Sequence, residues 1–189
     1  MRPTWAAIDL DAFSRNVTAI ATRLPEGSRL MAVLKADGYG HGAVELAKRC
    51  DPGEVAMIAT AMLEESLELR RAGITLPLLV LGPLRSSQIV TALDSGIVIG
   101  VVGPEELALA CEVARDREVT VHLKVDSGMG RMGLVESEMA AAIQLIRSRP
   151  RLHVDAIYTH FANAGDPDDH FTDEQLANFG QRVEMLRAA

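Results

Sequence analysis

Residues 32–42, AVLKADGYGHG, join an apolar strand, a lysine and a glycine-rich loop within eleven positions. The apolar run starts at Leu30 and ends at Leu34, and Lys35 follows it directly. In parallel α/β folds, functional sites form where strands end and loops begin. A lysine in that position is partly desolvated, which favours the neutral, nucleophilic amine. The stretch therefore predicts a parallel α/β fold in which Lys35 can form a Schiff base with a carbonyl. For a lysine at a strand end taken by itself, a side chain that only reaches solvent beside a simple turn is the more common case.

Similar short apolar runs recur along the chain, and an amphipathic or polar segment follows each of them. They lie at residues 55–59, 78–81, 97–102, 119–123 and 152–157. Runs of this length suit strands that are buried on both faces of a parallel sheet. Pro104 suits the first turn of a helix, and Pro150 suits the residue after one. The alternation predicts strands joined by right-handed helical crossovers.

Two architectures fit this alternation, an open doubly wound sheet and a closed (β/α)8 barrel. The chain of 189 residues holds about six strand–helix units, whereas a closed barrel has eight and typically about 250 residues. Periodicity alone therefore favours the open sheet. No G-x-G-x-x-G string follows the first strand, which disfavours a dinucleotide-binding version of that fold.

Composition and charge disfavour several classes of partner and compartment. The net charge of -7 argues against nucleic acid and against an anionic membrane surface. No apolar run approaches the roughly 20 residues of a membrane-spanning helix, and Asp9 and Asp11 come too early for a signal peptide. Cys50 and Cys111 lack metal-ligand spacing, and we expect reduced thiols in a cytoplasmic protein without a metal site.

The first segment differs from the later strands. Residues 5–10, WAAIDL, precede a predicted helix over residues 11–24, for which Asp11 is a candidate N-cap. We expect this segment to form a strand that belongs to another sheet than the strands that follow.

Two further strings place polar residues after predicted strands. Residues 122–133, HLKVDSGMGRMG, include Lys124 and Arg131, whose guanidinium suits a carboxylate or phenolate oxygen. Residues 157–166, IYTHFANAGD, include His160. Taken singly, the first string is explained by a structural ion pair under a turn, and a lone histidine such as His160 is more often hydrogen-bonded structure than a catalyst.

The three strings together, in this order, resemble the signatures of alanine racemases. The first resembles V-K-A-N-A-Y-G-H-G, with departures at Asp37 and Gly38. The second resembles K-V-D-[ST]-G-M-x-R-x-G at its fixed positions, and the third resembles Y-T-H-F-A-x-A-D, with a departure at Gly165. Weaker similarity occurs at residues 64–70, and the resemblance extends from about residue 4 to about residue 170.

The resemblance implies a fold that overrides the preference for an open sheet. Alanine racemases have an N-terminal (β/α)8 TIM-type barrel and a C-terminal β domain, and they are homodimers. The expected architecture is therefore an incomplete barrel of about six of the eight units over residues 11–189. Residues 1–10 would form an N-terminal strand associated with the C-terminal β domain, which lies outside these 189 residues.

The resemblance also implies a role for five residues. Lys35 would hold pyridoxal 5'-phosphate as a Schiff base and act as the base on one face of the substrate α-carbon. Tyr39 would lie near the cofactor phosphate, and Arg131 would contact the phenolic oxygen of the cofactor. Lys124 matches a lysine that is carbamylated in some members. His160 matches a histidine in the hydrogen-bond network of the second base.

The implied function is the interconversion of L- and D-alanine, which supplies D-alanine for peptidoglycan. The family's second base is a tyrosine from the partner subunit's C-terminal domain and has no counterpart in these residues, so we expect residues 1–189 alone to be inactive. Serine remains open as a substrate beside alanine. Two other functions remain open: a Schiff-base lyase or aldolase, and a non-catalytic pyridoxal-phosphate carrier, which would lack the Y-G-H-G string.

Overall fold

The computed structural model describes residues 3–166 and 168–188, in which helices and parallel strands alternate. The chain divides into two compact units, Met1–Val80 with Ser95–Ile97, and Leu81–Asp94 with Val98–Ala189. The elements of the first unit are α1 (Leu10–Ala21), β1 (Leu30–Val33), α2 (Lys35–Gly40), α3 (Ala43–Lys48), β2 (Val55–Thr60), α4 (Leu63–Arg71) and β3 (Leu78–Val80). Those that follow are α5 (Ser86–Asp94), β4 (Ile97–Val101), α6 (Pro104–Val113), β5 (Val119–Lys124), α7 (Glu136–Arg147), β6 (Leu152–Tyr158) and α8 (Phe171–Arg187).

In the first unit, β2 pairs in parallel with β1 and with β3. Ala32 lies opposite Ile58 in the β1–β2 pair, and Ile58 lies opposite Leu78 in the β2–β3 pair. Ile58 and Leu78 are fully buried, as expected of strands covered on both faces. The strands predicted from the apolar runs are confirmed here to within a residue.

In the second unit, β5 pairs in parallel with β4 and with β6. Val119, Val121 and Leu123 on β5 are fully buried and form the centre of this unit's core. Lys124, the last residue of β5, lies opposite Tyr158, the last residue of β6. The two strands therefore end side by side, and their loops begin at the same edge.

The helix ends follow from identifiable signals, with one correction. Pro104 begins α6, as predicted, with Glu105 behind it in the first turn. Asp11 is not the N-cap of α1, because the helix already begins at Leu10. Asp9 takes that role: its backbone is extended, and its Oδ1 accepts a hydrogen bond from the backbone N–H of Ala12 at 2.9 Å.

The segment before α1 is neither helix nor strand over residues 3–9. Trp5 is 78% exposed and Ile8 is 38% exposed, so both side chains lack the apolar cover that a buried strand would have. Met1 and Arg2, which belong to the predicted strand of residues 1–10, lie outside the described residues, as does Ala189. The association of residues 1–10 with a β domain stays a prediction.

Two strands have a neighbour on one side only within the described ranges. β1 pairs with β2, and β6 pairs with β5. Val33 on β1 is 38% exposed, and most residues of β6 are only half-buried. Unpaired apolar strand edges recruit other chains, so these two edges favour self-association.

We therefore expect a polypeptide confined to residues 1–189 to self-associate in solution. Sedimentation velocity over a dilution series measures this, and the expected result is a sedimentation coefficient that rises with concentration. A monomer that stays compact across the series and melts cooperatively would contradict the expectation.

Candidate active site

In α2 (Lys35–Gly40), just after β1, the backbone winds in the left-handed sense from Ala36 onward. Ala36, Asp37, Gly38 and Tyr39 have φ between 52° and 63° and ψ between 37° and 50°. Left-handed backbone brings Cβ close to the next carbonyl and costs roughly 1–2 kcal/mol for each residue other than glycine. Glycines were predicted to free the backbone in this loop, but three non-glycine residues at positive φ were not predicted. Such strain persists only where the surroundings hold it.

Two carboxylates hold the left-handed turn. The Oδ1 atom of Asp37 accepts a hydrogen bond from the backbone N–H of Ala43 at 2.7 Å and so ties the turn to the start of α3. The Oε1 atom of Glu65, on α4, accepts one from the backbone N–H of Ala36 at 2.6 Å. Hydrogen bonds to ionised acceptors are stronger than neutral ones, which suits them to offset backbone strain.

Lys35 is half-buried at the start of this turn. Its Nζ lies 5.8 Å from the ring centroid of Tyr39, so the structure brings these two predicted site residues together. No carboxylate of the described residues pairs with the Lys35 amine. An amine that is not engaged in an ion pair is available for a carbonyl ligand.

The second set of predicted residues lies in the second unit, and the loop after β5 carries part of it. The carboxylate of Asp126 accepts hydrogen bonds from the backbone N–H groups of Gly128 at 2.8 Å, Gly130 at 3.1 Å and Arg131 at 2.9 Å. Burial alone would raise the pKa of Asp126, but these N–H donors outweigh it and lower the pKa. The backbone of Arg131 is thereby held, while the residue itself is exposed.

Lys124 lies beneath this loop and is only 6% exposed. Its Nζ lies 6.0 Å from the ring centroid of Tyr158 on the neighbouring strand, within reach of a cation–π interaction. Burial raises the pKa of Tyr158 well above its ordinary value, so its phenol stays neutral. The surroundings of Lys124 are therefore poor in water, and a change in its charge would affect them strongly.

Gln175, on α8, joins the loop after β6 to the loop after β5. It is fully buried, and its Oε1 accepts a hydrogen bond from the backbone N–H of Ala162 at 2.8 Å. Its Nε2 donates to the carbonyl of His160 at 3.1 Å and to Oγ of Ser127 at 3.3 Å. The backbone of His160 is thus fixed from α8, while His160 itself is exposed.

Every predicted site residue lies at or after the carboxyl end of a parallel strand. Lys35 and Tyr39 lie together in the first unit, and Lys124, Arg131 and His160 lie in the second. The residues that hold these loops were not predicted from the sequence: Glu65, Ser127 and Gln175. For Glu65 a signal existed, because a glutamate at the third position of a helix often bonds the N–H groups just before it.

The clefts of the two units lie beside these loops. A cleft of about 630 Å³ in the first unit is lined by Gly38, Tyr39 and residues of α1. One of about 690 Å³ in the second is lined by Asp126, Ser127 and Arg182. The described residues contain no group of three or more His, Cys, Asp or Glu that could hold a metal ion. None of the helices described is long and apolar enough to cross a membrane.

Six parallel strands in sequential order, joined by helices and with the predicted site residues at the strand ends, are the arrangement of a (β/α)-barrel domain in part. Residues 8–189 match the family described as "Alanine racemase, N-terminal domain". The chain belongs to the alanine racemase family.

Relatives of known sequence support this membership. The chain is 38% identical over 189 residues to alanine racemase 2 of Oceanobacillus iheyensis, which covers 98% of this chain and 48% of that protein. It is 40% identical over 186 residues to alanine racemase of Streptococcus equi subsp. equi, which covers 98% of this chain and 50% of that protein. The chain therefore spans about half the length of these relatives.

Solved structures show the same fold. Alanine racemase from Bacillus anthracis, with bound L-Ala-P, matches with a TM-score of 0.90 at 35% identity, covering 100% of this chain and 49% of that one. Alanine racemase of Clostridium difficile 630 matches with a TM-score of 0.89 at 34% identity, covering 98% of this chain and 52% of that one. The six parallel strands thus match an N-terminal barrel domain in part, which confirms the expected fold class.

Proposed function

We propose that this chain carries the lysine-bearing half of an enzyme that interconverts L- and D-alanine with pyridoxal phosphate as its cofactor. The observation that supports the proposal most directly is the position of Lys35. Lys35 is half-buried just after β1, and no carboxylate of the described residues pairs with its amine. Relatives that bear the name alanine racemase over the same residues favour this activity above other Schiff-base chemistry.

The residues present fit the cofactor. A primary amine is the group that bonds an aldehyde, and the amine of Lys35 lies 5.8 Å from the Tyr39 ring centroid. Pyridoxal phosphate, when bound, withdraws electrons from the substrate α-carbon and so makes its proton removable. Lys35 holds the cofactor and then takes or returns a proton at its Nζ on one face of that carbon. Tyr39 contributes to the phosphate site.

The residues of the second unit orient the reacting groups. Arg131, whose backbone N–H is held by Asp126, would bind the phenolic oxygen of the cofactor through its guanidinium. His160 belongs to the hydrogen-bond network of the base on the opposite face. Carbamylation of Lys124 would turn a buried cation into an anion and would orient Arg131 through its charge.

The organisation of the complete enzyme follows the same proposal. Residues 11–189 form the cofactor-binding part of the barrel, and residues 1–10 join a C-terminal β domain. The enzyme is a cytoplasmic homodimer, and its D-alanine serves the synthesis of peptidoglycan. Alanine is the substrate proposed first, and comparison of kcat/KM for L-alanine and L-serine tests that choice.

Analysis of the products formed from the substrate tests this proposal. It distinguishes a racemase from a lyase, an aldolase and a carrier protein. The protein is incubated with pyridoxal phosphate and L-alanine in deuterated water, and the products are analysed by chiral chromatography and mass spectrometry. Deuterated D-alanine with no carbon–carbon cleavage supports the racemase. Cleavage products indicate a lyase or aldolase, and bound cofactor with no exchange indicates a carrier.

Racemisation needs a proton donor on each face of the α-carbon, and Lys35 serves one face. We therefore expect a polypeptide confined to residues 1–189 to exchange the α-proton slowly with retention and to produce D-alanine at least about 100-fold more slowly than an enzyme with both groups. A coupled assay with D-amino-acid oxidase measures this. Equal rates for this polypeptide and a complete racemase would contradict the expectation.

A further inference from the structure

Glu65 connects α4 to the residue that follows the candidate cofactor lysine. Its Oε1 accepts a hydrogen bond from the backbone N–H of Ala36 at 2.6 Å. Its Oε2 accepts two more, from the backbone N–H groups of Ala61 at 2.8 Å and Met62 at 2.9 Å. One half-buried carboxylate thus links the start of the left-handed turn after β1 to the N-terminus of α4.

The helix that carries Glu65 is anchored at both of its ends. Near the N-terminus, Oγ of Ser66 lies 2.7 Å from Oγ1 of Thr60, and both residues are fully buried. At the C-terminus, the guanidinium of Arg70 donates to four backbone carbonyls, those of Ile74, Leu76, Ser95 and Gly96, at 2.7 to 3.2 Å. A carboxylate on such a helix has little freedom to follow a moving loop and therefore fixes that loop.

The hydrogen bond from Ala36 to Glu65 lies at the residue where the left-handed backbone begins. Ala36 has φ 52° and ψ 50° and is the first residue of the left-handed run. An L-residue avoids this conformation, and a charge-assisted hydrogen bond at that N–H opposes the return to ordinary backbone angles. The peptide group between Lys35 and Ala36 is planar, so a hydrogen bond at the N–H of Ala36 also restrains the carbonyl and the Cα of Lys35, from which its side chain projects.

The geometry points to Glu65 as a positioning residue for Lys35. Its carboxylate holds the Lys35–Ala36 peptide group in the orientation from which the amine meets a carbonyl, and Glu65 itself touches neither substrate nor cofactor. This inference rests on the proposed role of Lys35 as the cofactor lysine. It identifies α4 as the helix that holds the backbone beside that lysine, and it gives the Glu64–Arg70 segment a role in positioning Lys35.

Three variants of the protein separate this role from a general contribution to the helix. Glu65→Ala removes all three contacts. Glu65→Gln keeps the size of the side chain but replaces one acceptor oxygen by an amide that cannot accept. Glu64→Gln is the matched control, because it removes the same charge from the same first turn of α4 while the contact with Ala36 remains.

The first measurement is residue-resolved hydrogen exchange at the Ala36 amide, which needs no cofactor. We expect the Ala36 amide to exchange about 10- to 100-fold faster in Glu65→Ala, because this fold-change corresponds to the loss of one hydrogen bond to a charged group. Glu65→Gln should show a smaller increase, and Glu64→Gln none. Unchanged protection of Ala36 in both Glu65 variants would overturn the inference.

The second measurement is the rate at which pyridoxal phosphate becomes attached to Lys35, trapped by borohydride and recorded as a function of pH. We expect slower attachment and a displaced pH profile in both Glu65 variants, with the larger effect in Glu65→Ala and the smaller in Glu65→Gln. Glu64→Gln should leave both quantities unchanged. Loss of Ala36 protection together with an unaltered rate and pH profile at Lys35 would overturn the positioning role.

The two measurements also distinguish failure of the inference from failure of the proposed function. If the unaltered protein attaches no cofactor at Lys35, the proposed function is wrong, and the positioning role that rests on it is overturned as well. If Glu65→Ala does not fold, Glu65→Gln decides the question, because it preserves the volume and leaves part of the contact set.

Discussion

Lys35→Ala is expected to remove all borohydride-stable attachment of pyridoxal phosphate to this protein. Lys35 is half-buried at the end of β1, and its amine has no ion-pair partner in the described part of the chain. By contrast, Lys124 is 6% exposed and is poorly placed to meet a cofactor from solvent. Reduction with borohydride followed by peptide mapping of the labelled protein measures the effect.

Lys48→Ala is the matched control for this prediction. Lys48 lies on α3, where its Nζ pairs with Oε1 of Glu45 at 2.7 Å, and its removal should leave the label unchanged. Circular dichroism of Lys35→Ala checks that the fold persists, as expected for a half-buried side chain. A label of normal intensity on Lys48 or Lys124 in Lys35→Ala would show that the cofactor lysine had been assigned wrongly.

Gly133→Ala is expected to lower the free energy of unfolding by about 3 kcal/mol or more. Gly133 has φ +124°, and an added Cβ would lie 2.6 Å from the backbone nitrogen of Asp126 and 2.6 Å from the carbonyl carbon of Val125. Those backbone atoms cannot retreat freely, because Asp126 N–H bonds the carbonyl of Leu134 and Leu134 N–H bonds that of Lys124. For a chain of this size the melting temperature should fall by roughly 10 °C.

Gly130→Ala is the control that separates two causes of destabilisation: a clash of the new Cβ with backbone atoms, and the left-handed backbone conformation itself. Gly130 lies in the same loop at φ +71°, but nothing lies within 4 Å of the position of an added Cβ. Only the left-handed conformation is penalised there, at roughly 1–2 kcal/mol. Thermal and urea denaturation of both variants measure the difference. Equal destabilisation would mean that the loop after β5 moves aside to accept the new methyl group.

Much of the fold follows from local sequence patterns. Runs rich in apolar residues placed each of the six strands to within about two residues, because strands covered on both faces of a parallel sheet are mostly apolar. The helix boundaries were predicted less accurately than the strands. Both Asp9 and Asp11 have the chemistry of an N-cap, and the choice of Asp9 depends on where the preceding segment stops being extended.

The sequence predicted the candidate site residues, but it did not predict the residues that hold their loops in place. Lys35, Lys124 and His160 stand out because each polar residue follows an apolar strand. Glu65 and Gln175 do not, because their contacts with these loops are hydrogen bonds to backbone groups 13 to 29 positions away. Backbone groups are present at every residue, so the sequence carries no mark of which ones such a side chain will reach.

By itself, the sequence determined the alternation of strand and helix, the position of Lys35 at a strand end, and the family, through three strings in the right order. Only the tertiary structure decided that Ala36, Asp37 and Tyr39 turn left-handed. Single residues visit this conformation, but several left-handed L-residues in succession are disfavoured by a steric cost at each of them. Contacts from α4 and from the start of α3 supply the compensation. Those contacts exist only after the strands of the first unit have paired and brought distant segments together.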